Sequence, residues 1–236
     1  TADTLSTGVG ASYGVYWAKD ANGVTRVSQI VPNSPASAAG MTRGGILVSV
    51  ISSSNNSWYP NNIGEVVTFN YKANTAATAS NLTLTSAKVS EDPVPTQKVL
   101  TTGTGRRVGY VLFNAFTRGA QDKLIATMTS MAASGIQDLV LDLRYNGGGF
   151  LYVAHALGSM VTGPTNDGKV FERLQYNKSR TVDSERSTYN ISGTTLVGET
   201  TFAKGAAMPR LSLPRVYILS SGNSCSASES VIKGLR

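Results

Sequence analysis

A single cysteine and a single histidine among 236 residues exclude much of the chemistry those residue types carry. One thiol cannot close an internal disulfide, and one of each cannot assemble a Cys/His zinc cluster, so no metal site is expected and no redox compartment follows. Long hydrophobic runs are missing too: no stretch approaches the about 18 uninterrupted apolar residues of a membrane-spanning helix. Basic residues outnumber acidic ones, 21 to 14, for a net charge of +7. They are scattered, with no Lys/Arg run and no basic stripe interleaved with aromatics, which argues for a basic solvated surface and against a nucleic-acid partner. The start, Thr1-Ala-Asp-Thr-Leu5, has neither the charged nor the apolar region of a signal peptide, and its lack of Met reads as a trimmed or mature form.

What is present is punctuated by turns. Residues 8–90 are β-rich. Tyr13–Trp17 and Val24–Val31 read as strands around an Asn22-Gly23 turn, a strong hairpin signal. A Ser34-Pro35 pair then opens a short Ala-rich helix closed by Gly40, with a strand at once behind it. Residues 53–62 form a polar loop, and Val66–Tyr71 and Leu82–Thr85 return to alternating strands. Glu91-Asp-Pro-Val-Pro-Thr96 reads as a linker, which divides the chain into 8–90, a connecting 91–97, and 98–236.

The second part has the pattern of an α/β layer. Val108–Phe113 is a strand, and Gly119 to about Ser134 is an amphipathic helix with Leu124, Met128 and Met131 on one face. Asp138–Arg144 is a nearly continuous apolar strand, as expected when both faces are covered. It runs into the turn Tyr145-Asn-Gly-Gly-Gly149 and a helix containing Leu151–Met160. Asp142 and Arg144 at the strand end fit a structural ion pair. Residues 163–212 are polar and irregular, with a strand expected within Val170–Tyr176. The fold class is therefore α/β (α+β): a β-rich domain followed by an α/β domain.

The last two dozen residues repeat the strand, turn, helix order. Val216–Leu219 is a strand, Ser220–Ser224 a turn, and Ala227 onward has helical spacing. Such a turn lifts a small hydroxyl side chain clear of the sheet. The free N–H groups of the helix's first turn can then stabilise a neighbouring oxyanion. Ser226 stands where that geometry presents it, although Ser224, Ser226 and Ser228 are all residues that also serve as caps and turn filler.

The run Ser224-Cys-Ser-Ala-Ser-Glu229 resembles the Ser-Ala-Ser-Ala-Ser-Glu signature of the C-terminal processing peptidases, or tail-specific proteases, with Cys225 in place of an alanine. In that family the middle serine, here Ser226, is the nucleophile. Asp142-Leu-Arg-Tyr-Asn-Gly-Gly-Gly149 is similar to the Asp-Leu-Arg-x-Asn-x-Gly-Gly motif of the same peptidases. There the glycine amides help form the oxyanion hole. Gly148 and Gly149 take the two glycine positions, Gly147 the variable one, and the resemblance implies that the Gly148 and Ala227 amides hold the oxyanion.

Val31-Pro-Asn-Ser-Pro-Ala-Ser-Ala-Ala-Gly-Met-Thr-Arg-Gly-Gly45 is similar to the core of a PDZ domain, which captures a peptide C-terminus as an added strand. Carried over, the carboxylate-binding loop is Tyr13-Gly14-Val15-Tyr16, and Gly45 stands where those domains usually have Asp. The alternative for Tyr13, Tyr16 and Trp17 is ordinary strand packing.

A serine hydroxyl needs a base within hydrogen-bond reach. His155 is the only histidine and reads as a partly exposed helical residue. The family instead uses a lysine, roughly 25 residues after the serine by what the resemblance implies, kept neutral by a desolvated pocket. The sequence stops ten residues after Ser226, so truncation of a longer enzyme is expected, with the base and one or more strands missing. Lys233 lies two turns down the same helix. Lys204, in Leu196-Val-Gly-Glu-Thr-Thr-Phe-Ala-Lys-Gly205, resembles the family's lysine segment but precedes the serine.

The expectation is a serine endopeptidase acting near protein C-termini. It takes polypeptide substrates by their tails, needs no metal or other cofactor, and works in a cell-envelope or secreted setting by resemblance. The alternative from another class is a non-catalytic, PDZ-like peptide-binding scaffold.

Overall fold

The computed structural model describes residues 8–173, 175–180, 199–201 and 208–236. The chain forms two compact units, Val9–Glu91 and Asp92–Arg236.

The first unit is built on an antiparallel sheet of five strands in the order β2-β3-β4-β5-β6. These are β2 (Val15–Lys19), β3 (Thr25–Ile30), β4 (Ile46–Ser53), β5 (Val66–Lys72) and β6 (Ser80–Thr85). β1 (Val9–Ser12) and β7 (Ala87–Ser90) pair separately. The hairpin between β2 and β3 turns at Asp20, whose carboxylate accepts the N–H groups of Asn22 and Val24, while Gly23 takes a φ of 76°. Alternation along β5 sends Val67, Phe69 and Tyr71 into the core against Tyr13, Val27, Leu47 and Leu84. The short helix α1 (Pro35–Ala38) opens as expected: the Ser34 hydroxyl accepts the Ser37 N–H and Pro35 fills the first turn.

The departure at Gly45 has a packing cause. A Cβ there would lie 2.1 Å from the Tyr71 hydroxyl. That hydroxyl accepts the Thr42 N–H at 3.0 Å. Tyr71 thus occupies the space that an aspartate side chain at this position would need.

The second unit has a four-stranded sheet in the order β13-β10-β9-β8. β9 (Arg107–Leu112), β10 (Asp138–Asp142) and β13 (Val216–Leu219) run parallel, and β8 (Thr96–Thr101) is antiparallel to β9. The helix α2 (Ala120–Ala133) connects β9 to β10 and buries Leu124, Met128 and Met131, the face expected from its spacing. The helix α3 (Leu151–Val161) is buried on every side from Val153 to Val161, so its apolar residues need no stripe. A two-stranded ribbon of β11 (Val170–Arg173) and β12 (Glu199–Thr201) and the helix α4 (Ala227–Gly234) complete the unit. Phe171 of β11 sits where two glycines make room. A Cβ at Gly158 of α3 or Gly234 of α4 would come within 2.5 and 2.3 Å of its ring. Among the described residues no helix is long and apolar enough to cross a membrane.

The stretch 91–97 is not a loose linker. Asp92 pairs with Lys123, the Pro93 carbonyl accepts the Asn114 N–H, Val94 is buried in the core of the second unit, and Thr96 and Gln97 are already in β8. An apolar Val94 within reach of that core outweighs the turn-forming prolines around it.

The parallel strands start from one buried carboxylate. Asp138 opens β10 and accepts from Arg106, just before β9, and Arg215, just before β13. Hydrogen bonds from Arg106, then Arg215, together with their charges, hold its carboxyl down to about 2. A depressed folded value stabilises the fold above the ordinary aspartate range, and that stabilisation is lost as pH falls through about 2. Asp138→Asn should therefore lower the thermal midpoint at neutral pH. Thermal melts over a pH series should show the gap between variant and wild type closing as pH approaches 2. A second expectation concerns the first unit: Gly45→Asp should destabilise it by about 1–3 kcal/mol through overpacking against Tyr71, measurable by denaturant unfolding.

Candidate active site

Parallel pairing of β10 and β13 in the register Asp142↔Leu219 brings two turns together at one end of the sheet. Leu143 N–H donates to the Leu219 carbonyl at 2.8 Å, and from there the glycine turn (143–149) and the serine turn (220–226) run side by side. Two serines of the second turn and one of α4 are fastened to the backbone of the first. Ser221 Oγ donates to the Arg144 carbonyl, Ser224 Oγ to Leu143 at 2.7 Å and Ser228 Oγ to Asn146 at 2.9 Å.

Ser226 is the exception in this run. It is exposed, its hydroxyl makes no bond to the glycine turn among the described residues, and it forms a capping box with Glu229, the serine side chain facing the Glu229 N–H and the Glu229 carboxylate the serine N–H. It is the residue that enters α4, with φ 55° and ψ −119°, a region that a non-glycine residue occupies only when its surroundings impose it. Those surroundings are identifiable. The Ser226 N–H is held by Glu229 Oε2 at 3.0 Å, while Ala227 and Val231 are fully buried behind it. On the open side lies Gly148, at φ 103°. A Cβ at Gly148 would stand 2.7 Å from both Ser226 Cβ and the Cys225 carbonyl, so only glycine lets the turns meet.

The Ala227 N–H, at the start of α4, has no partner among the described residues and carries the positive end of the helix dipole. Gly148 behaves differently from the expectation: its N–H donates to the buried Asn146 Oδ1 at 2.9 Å and is not open to an oxyanion. Sequence reasoning passed over Asn146. Its signal was there, since asparagine directly before glycines favours a side-chain-closed turn.

Asp142 and Arg144 form the expected ion pair at 2.7 Å, joined by the Tyr110 hydroxyl at 2.7 Å from the carboxylate. Burial alone would raise the Asp142 carboxyl, but the bonds from Arg144 and Tyr110 bring it below its ordinary value. The pair braces the strand end and leaves the chemistry to the turns.

His155 is not the partly exposed residue expected from its position. It is 1% exposed, stacked on Phe171, and pushed down to about 4 by burial. Phe171 lies against Gly234, eight residues along α4 from Ser226, which is about 12 Å of helix. Lys233 is exposed on α4, and Lys204 lies outside the described residues.

In the first unit, Tyr13 is 2% exposed and packs edge-on against Phe69, so its side chain belongs to the core. Gly14, at φ 75°, has Ser34 directly over it, and its N–H donates to Ser12 Oγ. Val15 opens β2, and the Tyr16 hydroxyl, raised above its ordinary value by burial and by Glu91, is hydrogen-bonded to that carboxylate. β2 is the terminal strand of its sheet.

The second unit thus sets a strained serine at a helix start against a glycine turn, at one end of an α/β sheet. The model of peptidase family S41 matches residues 107–236, and the chain belongs to that family. A search of curated proteins finds no match. Among solved structures, a Bacteroides fragilis protein described as an S41 protease aligns over 95% of this chain and 61% of its own, with 22% identity and a TM-score of 0.66. The photosystem II D1 C-terminal processing protease aligns over 96% of this chain and 57% of its own, with 20% identity and a TM-score of 0.55. At these identities the likeness is one of fold, and the chain spans about three fifths of each neighbour.

The strain at Ser226 is measurable without any substrate. Replacing it with glycine, which adopts this φ freely, should stabilise the second unit by about 1 kcal/mol, whereas Ser226→Ala keeps the strain and should not. Equilibrium denaturation of the two variants beside wild type makes the comparison.

Proposed function

We propose that the protein is a serine endopeptidase that acts on polypeptides near their C-termini, with Ser226 as the nucleophile. The observation that carries this reading is the contrast within the serine-rich run. Ser221, Ser224 and Ser228 are bound to the glycine turn, while Ser226 is exposed and strained at the mouth of α4. Ser226 Oγ attacks the scissile carbonyl. The tetrahedral oxyanion is held by the Ala227 N–H, aided by the dipole of α4. The Gly149 N–H, which has no partner among the described residues, is the second donor in place of Gly148.

The proton passes to a lysine kept neutral by desolvation, as the resemblance implies. Lys204 is one source of that base, and a lysine following Arg236 in the full-length protein is the other. The first unit is PDZ-like in this reading and holds the substrate tail along the free edge of β2, through main-chain hydrogen bonds. No metal or cofactor takes part, and the setting is the cell envelope or the outside of the cell, as in the family it resembles.

The test is hydrolysis of an unfolded polypeptide by the full-length protein, together with labelling by a fluorophosphonate. Ser226→Ala should abolish both, and amidation of the substrate's C-terminus should raise KM. If wild type binds the tail as tightly as Ser226→Ala but neither cleaves nor labels, the peptide-binding scaffold takes the place of the peptidase.

A further inference from the structure

Asn146 is fully buried, and each of its four kinds of polar group has a partner. Its Nδ2 donates to the Phe113 carbonyl at 3.0 Å, at the end of β9. Its Oδ1 accepts the Gly148 N–H at 2.9 Å. Its main-chain N–H donates to the Leu143 carbonyl at 3.0 Å, and its main-chain carbonyl accepts from Ser228 Oγ at 2.9 Å. One residue thus joins the ends of β9 and β10, the glycine turn and the helix that carries Ser226.

We propose that Asn146 is a positioning residue for Ser226, setting the spacing and register of the glycine turn against α4. This inference rests on the reading of Ser226 as nucleophile. The close approach at Gly148 leaves no slack: its missing Cβ would already overlap Ser226 Cβ at 2.7 Å. Any displacement of the turn toward α4 drives backbone into the serine, and any displacement away opens a gap beneath a side chain held at φ 55°.

Two bonds of Asn146 act against those two movements. Oδ1 fixes the plane of the Gly148 peptide, and the bond from Ser228, two residues past the nucleophile, fixes α4 along its axis. The bond to Phe113 anchors the asparagine itself to the sheet. Gly148 then serves by lacking a side chain, since its N–H is committed to Asn146. The amide side chain is required in both halves: an alanine loses both bonds, and an aspartate keeps the acceptor but sets a charge against the Phe113 carbonyl.

The experiment uses the full-length protein and three forms: wild type, Asn146→Ala and Ser228→Ala. Reactive sites are titrated with a fluorophosphonate, so that kcat is expressed per titrated serine, and KM is measured on the same unfolded polypeptide. A misplaced nucleophile loses rate at the bond-making step while ground-state binding persists. Asn146→Ala should lower kcat per titrated site about 100-fold and Ser228→Ala about 10-fold, with KM within about twofold of wild type. Variants that keep the wild-type kcat per titrated site, and lose only titratable fraction or thermal midpoint, would overturn the inference and leave Asn146 a stabilising residue. If Asn146→Ala does not fold, Ser228→Ala decides alone, and full kcat per site there overturns it. A wild type that neither labels nor cleaves removes the nucleophile reading and this inference together, whereas a reactive wild type with unaffected variants removes only the inference.

Discussion

The second unit depends on the parallel pairing of two short strands, β10 and β13. Their register places Asp142 opposite Leu219, the Leu143 N–H donates to the Leu219 carbonyl, and from that point two turns leave the sheet together. Neither turn carries apolar side chains enough to pack against the other, so they are joined by polar bonds from serine hydroxyls to carbonyls. Those carbonyls, of Leu143, Arg144 and Asn146, belong to a turn and have no ladder partners; Leu143 also accepts the Asn146 N–H, but an unmatched Arg144 or Asn146 carbonyl beneath the second turn would be costly. The hydroxyls are therefore structural first. Ser226, between two of these fastened serines, makes no bond to the glycine turn among the described residues and is exposed.

Strain at Ser226 is maintained by what lies on either side. Behind it, Ala227, Ser228 and Val231 are buried and hold α4 against α3. At the helix entry, Glu229 accepts the serine's own N–H, an interaction that suits a carboxylate in the first turn. In front, Gly148 leaves only enough room for the serine's Cβ. A relaxed φ at residue 226 would have to break one of these three contacts, so a cost on the order of 1–3 kcal/mol is locked in by surroundings that are better packed than the strained residue itself.

Much of this was legible in the residues. The nearly continuous apolar run Leu139–Leu143, interrupted by Asp142, announced a strand covered on both faces, and the spacing of Leu124, Met128 and Met131 announced the face that α2 buries. Ser34-Pro35 marked a helix start. What misled was context that one-dimensional patterns do not carry. His155 was read as partly exposed because helices usually have a wet face, but Phe171 covers it from a strand that lies elsewhere in the sequence. The prolines around Val94 signalled a linker, while the valine between them found a core. Asn146 was quoted as part of a motif and given no role, because its four partners are separated from it in sequence by as few as two and as many as 82 residues.

The division of labour between Gly148 and Asn146 follows from how a glycine turn can present amides. Adjacent N–H groups in a turn of positive φ do not all face the same way, so a turn that offers one of them outward must satisfy another inward. Asn146 supplies the inward acceptor, from a side chain short enough to reach the amide two residues on. An inward amide left unpaired in this buried position would be free to rotate outward, and the turn would have two competing conformations beside the serine. Occupying it with a neutral acceptor selects one. The glycine then provides closeness, the asparagine provides order, and the N–H at the start of α4 has no partner among the described residues.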